Sequence, residues 1–137
     1  MDTTLQLTAG LEDIVKITDF VTETAVALGS DLDAVGEIIV ALHEALSNSI
    51  IHGYQRQPGL LEIEVRRQAD NLAVYLRDQA PLFNPLLVPT PDISLPLEKR
   101  AYGGMGVHMM RNFTDELQYQ IINNHQNELI LVKKDAF

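Results

Sequence analysis

His43-Glu44-Ala45-Leu46-Ser47-Asn48-Ser49-Ile50-Ile51-His52-Gly53 is the stretch on which the reading of this chain turns. It has the composition of a helix, and Glu44, Asn48 and His52 recur in it at steps of four. At about 100° per residue these three side chains share one narrow stripe. Val35, Ile39, Leu42, Leu46 and Ile50 lie on the opposite side, where they can pack on a core. A carboxylate and a carboxamide one turn apart can supply a general base and an oxygen ligand for a hard cation together. Polar residues on a helix are also what a solvated face looks like, so the stripe needs support from elsewhere in the chain.

Around that helix the pattern continues in both directions. Residues 4–8 alternate as a short strand. Leu11, Ile14, Thr18, Val21, Ala25 and Leu28 then repeat with helical spacing, up to a stop at Gly29. Ser30 or Asp31 caps the next helix, which is expected to run to Gly53. Beyond the Pro58-Gly59 turn, Leu61, Ile63 and Val65 alternate with Glu62, Glu64 and Arg66, a strand with one wet face. Ala69-Asp70-Asn71 turns it back into 72–77 as a hairpin. Regularity is lost over 79–102, a segment holding Pro81, Pro85, Pro89, Pro91 and Pro96 and long enough to be a lid or binding loop. Gly103-Gly104-Met105-Gly106 follows and opens a short helix over 107–113. Two strands, near 117–122 and 128–133, close the chain. This order predicts one domain, 1–137, of the α/β (α+β) sandwich class: a mostly antiparallel, mixed sheet with helices packed on one face.

Composition narrows the function. The 137 residues include 10 basic and 19 acidic ones, a net charge of −9, and no cysteine. Direct nucleic-acid binding needs a basic footprint and is not expected. A small phosphate ligand is not excluded, because backbone amides and a cation can meet its charge locally. Without cysteine there is neither a disulfide framework nor a thiolate metal site. No run approaches the ~20 apolar residues of a membrane span, and Met1-Asp2-Thr3-Thr4 has neither a basic n-region nor an apolar h-region. The expectation is therefore a cytoplasmic protein with no membrane association. His43-Glu44 begins a zinc-protease signature, but Ser47 stands where its second histidine should be.

Three segments in order remain: the stripe of Glu44 and Asn48, then Asp78-Gln79-Ala80-Pro81-Leu82-Phe83-Asn84-Pro85, then Gly103-Gly104-Met105-Gly106-Val107. Glycines at a helix start let N–H groups face an anion. With these segments the chain resembles the GHKL (Bergerat-fold) ATP-binding domains of gyrase B subunits, heat-shock chaperones, histidine kinases and mismatch-repair ATPases. It is most similar among them to the anti-sigma-factor serine/threonine kinases of bacterial partner switching. Glu44 to Tyr54 looks like that group's E-A-x-x-N-x-x-x-H-G-Y box, Asp78 to Pro85 like its D-x-G-x-x-F-x-P box, and 103–116 like its G-G-x-G-hydrophobic box running into Asp-Glu.

The resemblance implies ATP and Mg²⁺ as cofactors. It gives Glu44 the role of base and Asn48 that of metal ligand, and pairs Asp78 with the adenine amino group. Ala80 and Phe83 would lie beside the base, and Gly103, Gly104, Met105, Gly106 and Val107 would wrap the phosphates. Arg100, the nearest arginine before the glycines, either reaches the γ-phosphate as a catalytic group or solvates the lid. The implied partners are an anti-sigma-factor antagonist and a sigma factor or similar regulator, and the group leaves room for a homodimer. Two features depart from the pattern. Ala80 replaces the second glycine of the Asp box, and Asn124-His125-Gln126-Asn127 stands where many members have Gly-Thr. Two other readings follow: a nucleotide-sensing binding module without catalysis, and a detached histidine-kinase-like catalytic domain.

Overall fold

Gly29 closes the first helix with φ at 98°, in the left-handed region that a residue with a Cβ seldom adopts. Two residues later the Asp31 carboxylate accepts from the Ala34 N–H at 3.1 Å and starts the second helix. A computed structural model describes residues 2–89, 94 and 104–137, the side chains of Gly104 and Met105 excepted. Within these, the chain runs β1 (Thr4–Ala9), α1 (Ile14–Leu28), α2 (Leu32–Ser47), a π-helical turn (Asn48–Gly53), β2 (Gly59–Gln68), β3 (Asn71–Asp78), a 3₁₀ turn (Pro85–Leu87), α3 (Gly104–Asn112), β4 (Glu116–Ile122) and β5 (Gln126–Lys133).

The sheet order is β1-β2-β3-β5-β4, and every pairing among the described strands is antiparallel. The expected mixed character is therefore absent from these strands. Two consecutive helices bring the chain back to the end it left, so β2 runs opposite to β1, and the remaining neighbours inside β2–β3 and β4–β5 are hairpins. Ala69, Asn123 and Asn124 take positive φ in those hairpin turns.

Leu61, Ile63, Val65, Leu72, Val74, Leu76, Leu129 and Leu131 face the helices and join one core with Ile17, Val21, Ile38, Leu42, Leu46 and Ile50. On α2 it is Ile38, fully buried, and not Ile39 that sits deepest. The helix is flanked by both α1 and α3, so its buried arc is wider than one stripe and shifts toward Ile38. With the π turn, the apolar run Leu32–Gly53 reaches 22 residues, long enough by length and composition alone to cross a membrane. That exceeds what the sequence pattern foresaw. Ile38, Leu42, Leu46 and Ile50 in this run are fully buried in the core, as in a core helix, while Leu32 at its start is exposed.

The other face of the sheet is less wet than alternation predicts. Ala73, Tyr75, Ile130 and Val132 form a second buried cluster there. Arg66 lies over the Tyr75 ring, 4.3 Å from its centroid. A cross-strand row of Glu62, Arg77 and Glu128 borders the cluster, with Arg77 bonded to Glu62 at 2.5 Å and to Glu128 at 2.6 Å. Burial works against the Arg77 charge, but the hydrogen bonds it donates to Glu128, Glu62 and Glu64 outweigh this and raise its pKa.

Candidate functional site

A cavity of about 410 Å³ opens between the π turn, the ends of β3 and β5, the 80–88 loop and α3, a size usual for small-ligand sites. Its two ends differ in construction.

At one end stands Asp78, the last residue of β3 and only 7% exposed. Its Oδ2 accepts from the Ser49 hydroxyl at 2.7 Å. Its Oδ1 accepts from the Asn127 carboxamide at 2.8 Å and from the Ala80 N–H at 3.1 Å. Asn127 is the residue directly opposite Asp78 in the β3–β5 register. Its Nδ2 also reaches the carbonyls of Ala80 at 3.2 Å and Pro81 at 3.3 Å. Its Oδ1 accepts from the Phe83 N–H at 3.1 Å and from the Tyr119 hydroxyl. The Tyr54 hydroxyl braces the same corner, accepting from the Gln79 N–H and donating to the Leu60 carbonyl, both at 2.7 Å. Burial raises the pKa of Tyr54, the Gln79 hydrogen bond opposes this, and the Asp78 charge adds to the rise. Tyr119 is raised in the same way, by burial and then by Asp78, against its hydrogen bond with Phe83. Each carboxylate oxygen still has acceptor capacity beyond these donors, so Asp78 can receive one more N–H from a ligand.

Ala80 is buried in the wall at 5% exposure. A Cβ placed on Gly53 would stand 2.8 Å from the Ala80 methyl, so the methyl occupies space that the glycine leaves open. Phe83 is half exposed at the rim.

The π turn sets this geometry. An i→i+5 turn is wider than an α turn by roughly one residue, and the Tyr54 N–H accordingly bonds the Ser49 carbonyl at 2.8 Å. His52 follows Asn48 within this turn. It is exposed and lines the cavity with Asn48, although the α-helix expected to run to Gly53 gives way to the π turn at Asn48.

At the other end Glu44 and Asn48 are half-buried. Asn48 lines the cavity, while Glu44, one turn back, is not among the lining residues. A Cβ on Gly106 would fall 3.2 Å from Glu44 Oε2 and 3.8 Å from Asn48 Oδ1. Only a residue lacking that atom lets α3 come so near without displacing the carboxylate. The glycines do not precede the helix as expected; Gly104 and Gly106 form its first turn. Their N–H groups are among those an α-helix leaves unpaired at its start. Val107 and Met110, both 1% exposed, complete this wall. Arg100 and Gly103 lie outside the described residues, as does most of the lid beyond residue 89. The position of the Met105 side chain lies outside them too.

The donor set fits magnesium. Among the described residues no group of three or more His, Asp or Glu could cage a metal. Mg²⁺ commonly keeps its waters and binds through one or two protein oxygens plus phosphates, which a lone Asn48 Oδ1 beside a helix start can satisfy.

The geometry therefore defines a small-ligand cavity with a carboxylate at one end and, at the other, Asn48 and the α3 wall of Val107 and Met110, next to the glycine helix start. The histidine kinase-like ATPase domain family matches residues 7–133, and the chain belongs to that family, which is the GHKL group of ATP-binding domains. Within it the chain is similar to anti-sigma F factors. That of Clostridium kluyveri is 31% identical over 113 residues, covering 77% of this chain and 75% of the relative. That of Clostridium beijerinckii is 30% identical over 115 residues, covering 78% and 76%. A crystal structure of the RsbU and RsbW domains of a Mycobacterium tuberculosis protein shares the fold, with a TM-score of 0.63 and 15% identity over 97% of this chain. The chain spans 32% of that larger polypeptide.

Ser49, Asn127, Tyr119 and Tyr54 are the site residues that sequence reasoning missed. Their signal is positional. The sequence pattern starts the last strand near residue 128, whereas β5 begins at Gln126 and sets Asn127 opposite Asp78.

Proposed function

We propose that this protein binds Mg²⁺–ATP in the cavity, phosphorylates a serine or threonine of an anti-sigma-factor antagonist, and holds a sigma factor or similar regulator. The observation that carries the reading is the approach of Gly106 to Glu44 and Asn48, which brings a base, an oxygen ligand and a helix start together. Asp78 accepts from the adenine amino group; guanine offers a carbonyl there and would set acceptor against acceptor. Glu44 takes the proton of the substrate hydroxyl as its oxygen bonds the γ-phosphorus. The bond from that phosphorus to the bridging oxygen breaks, and ADP leaves. Asn48 would hold Mg²⁺, which when bound supplies charge neutralisation at the phosphates. Positioning and charge neutralisation are the greater part of catalysis in phosphoryl transfer. Similarity to anti-sigma F factors supports the choice of partners.

A second reading, a nucleotide sensor that holds its partner without transfer, draws on the Ala80 methyl in the base-end wall. One experiment separates them: labelled-phosphate incorporation into a Ser- or Thr-bearing antagonist, run beside calorimetric ATP binding. Mg²⁺-dependent incorporation is expected. Tight ATP binding without incorporation would favour the sensor, and absence of ATP binding would remove both.

A further inference from the structure

Arg111 occupies the last turn of α3 and lies outside the cavity wall that Val88, Val107 and Met110 form. Its Nη2 donates to the Leu86 carbonyl at 2.8 Å and its Nη1 to the Val88 carbonyl at 3.2 Å. These carbonyls belong to the 3₁₀ turn over Pro85–Leu87 and the residue that closes it. The turn is itself firmly built. The Asn84 side chain accepts from the Leu86 N–H at 2.9 Å, and the Val88 N–H bonds the Pro85 carbonyl at 3.1 Å. It continues directly from the 80–83 segment, which Asn127 ties to Asp78.

A polar connection thus leads from Asp78 through Asn127 and the 83–88 loop to Arg111. It then passes back along α3 to Gly106, against Glu44 and Asn48. Asp78, Asn127, Phe83 and Val88 line the cavity, and Arg111 lies behind them. Charge-assisted bonds to two carbonyls of one loop fix direction as well as distance, and a cation in the last turn suits the helix dipole. A methionine at this position would keep the packing of the stem and lose both bonds.

We infer that Arg111 is a positioning residue that couples occupancy of the base end to the placement of the glycine turn at the phosphate end. The inference rests on the ATP-site reading above. It predicts that filling the base end alone already orders α3, and that Arg111 carries this effect.

The test uses the full chain and two probes, adenosine, which can fill only the base end, and Mg²⁺–ATP, which spans both. In R111M, ATP affinity should fall about fivefold or more, the lower part of the usual range of coupling between sites, with adenosine affinity changed less than about twofold. R111K, able to reach one carbonyl, should fall between. Adenosine should slow amide exchange at 106–110 in the wild type and not in R111M. A residue that only stabilised the fold would weaken both probes alike, and equal losses, or intact protection of α3 in R111M, would overturn the inference. Should R111M fail to fold, R111K reads the same ratio. A wild-type protein that binds neither probe would overturn the ATP-site reading itself, and the inference with it.

Discussion

The two ends of the cavity are made in opposite ways. At the base end Asp78 and Asn127, each 7% exposed, share a network in which the described buried side-chain polar atoms all have partners. At the phosphate end Glu44 and Asn48 are half-buried, and a Cβ on Gly106 would press on the Glu44 carboxylate at 3.2 Å. In the first region the interactions that would recognise a ligand are also interactions that hold β3, β5 and the 80–83 loop together. In the second they are presented by a helix whose core packing lies on its other side. Recognition and stability should therefore be inseparable at one end and separable at the other.

The strongest way to break this contrast is at Glu44. Glu44→Gln keeps shape and acceptor capacity, so ATP affinity and melting temperature should stay near wild type. Transfer should drop by ~10²–10⁴-fold, the usual contribution of a positioned base. Equal rates of phosphate incorporation would remove Glu44 from the chemistry. Asn48→Ala belongs with it: calorimetry should show loss of the Mg²⁺-dependent part of ATP affinity in a protein that still folds. A mutant that unfolds would mean the phosphate end is no freer than the base end.

Asp78→Asn should behave otherwise. The new amide puts an N–H donor into a site already supplied by Ser49, Asn127 and Ala80. An unsatisfied buried donor costs about 1–3 kcal/mol. Denaturant unfolding should show that loss, and titration should show ATP bound at least about tenfold less tightly with weaker preference over GTP. Wild-type stability in this variant would refute the claim that the base end is part of the fold's framework.

The sequence spoke most clearly where periodicity carries the information. The stripes of α1 and α2, the β2–β3 hairpin and the order of elements follow from apolar spacing, and Glu44, Asn48 and Asp78 fall inside motifs of fixed length. It was mute where geometry depends on something else. A π turn has no period to read, so the bond of Ser49 to Asp78 left no trace. The Asp78–Asn127 contact spans 49 positions and follows from strand register, which a two-residue error at the start of β5 conceals. Arg111 meets carbonyls 23 and 25 residues away, and carbonyls carry no residue signature at all.

Gly53→Ala probes how tightly the base end is filled. Its new methyl would meet the Ala80 methyl at 2.8 Å, and overpacking of this kind costs about 1–3 kcal/mol. Thermal melting should register the loss, and Ala80→Gly in the same chain should recover most of it, because the two positions compete for one volume. The single change Ala80→Gly should cost less, since it leaves only a methyl-sized gap. Additive effects of the pair would show that the two residues do not share that space, and with it would fall the account of how Ala80 is accommodated.

The smallest effect, and the most direct reading of the electrostatics, lies in the tyrosines. Tyr54 and Tyr119 are both raised above the ordinary value of 10.0, by burial first and by the Asp78 charge as well, against hydrogen bonds that pull them down. A phenol whose folded pKa exceeds its unfolded one favours the native state. That contribution is complete below pH 10 and is lost as pH rises through the elevated folded value. The chain has four tyrosines and no tryptophan, so tyrosinate absorbance can be followed without interference. In the wild type part of that signal should appear above pH 10. Asp78→Asn removes the charge and leaves the burial, so the late part should move down while staying above 10. The phosphate-end variant Asn48→Ala should leave it in place. If Asp78→Asn does not move the titration, the carboxylate does not act on the two hydroxyls, and the base end is less closely connected than its hydrogen bonds make it.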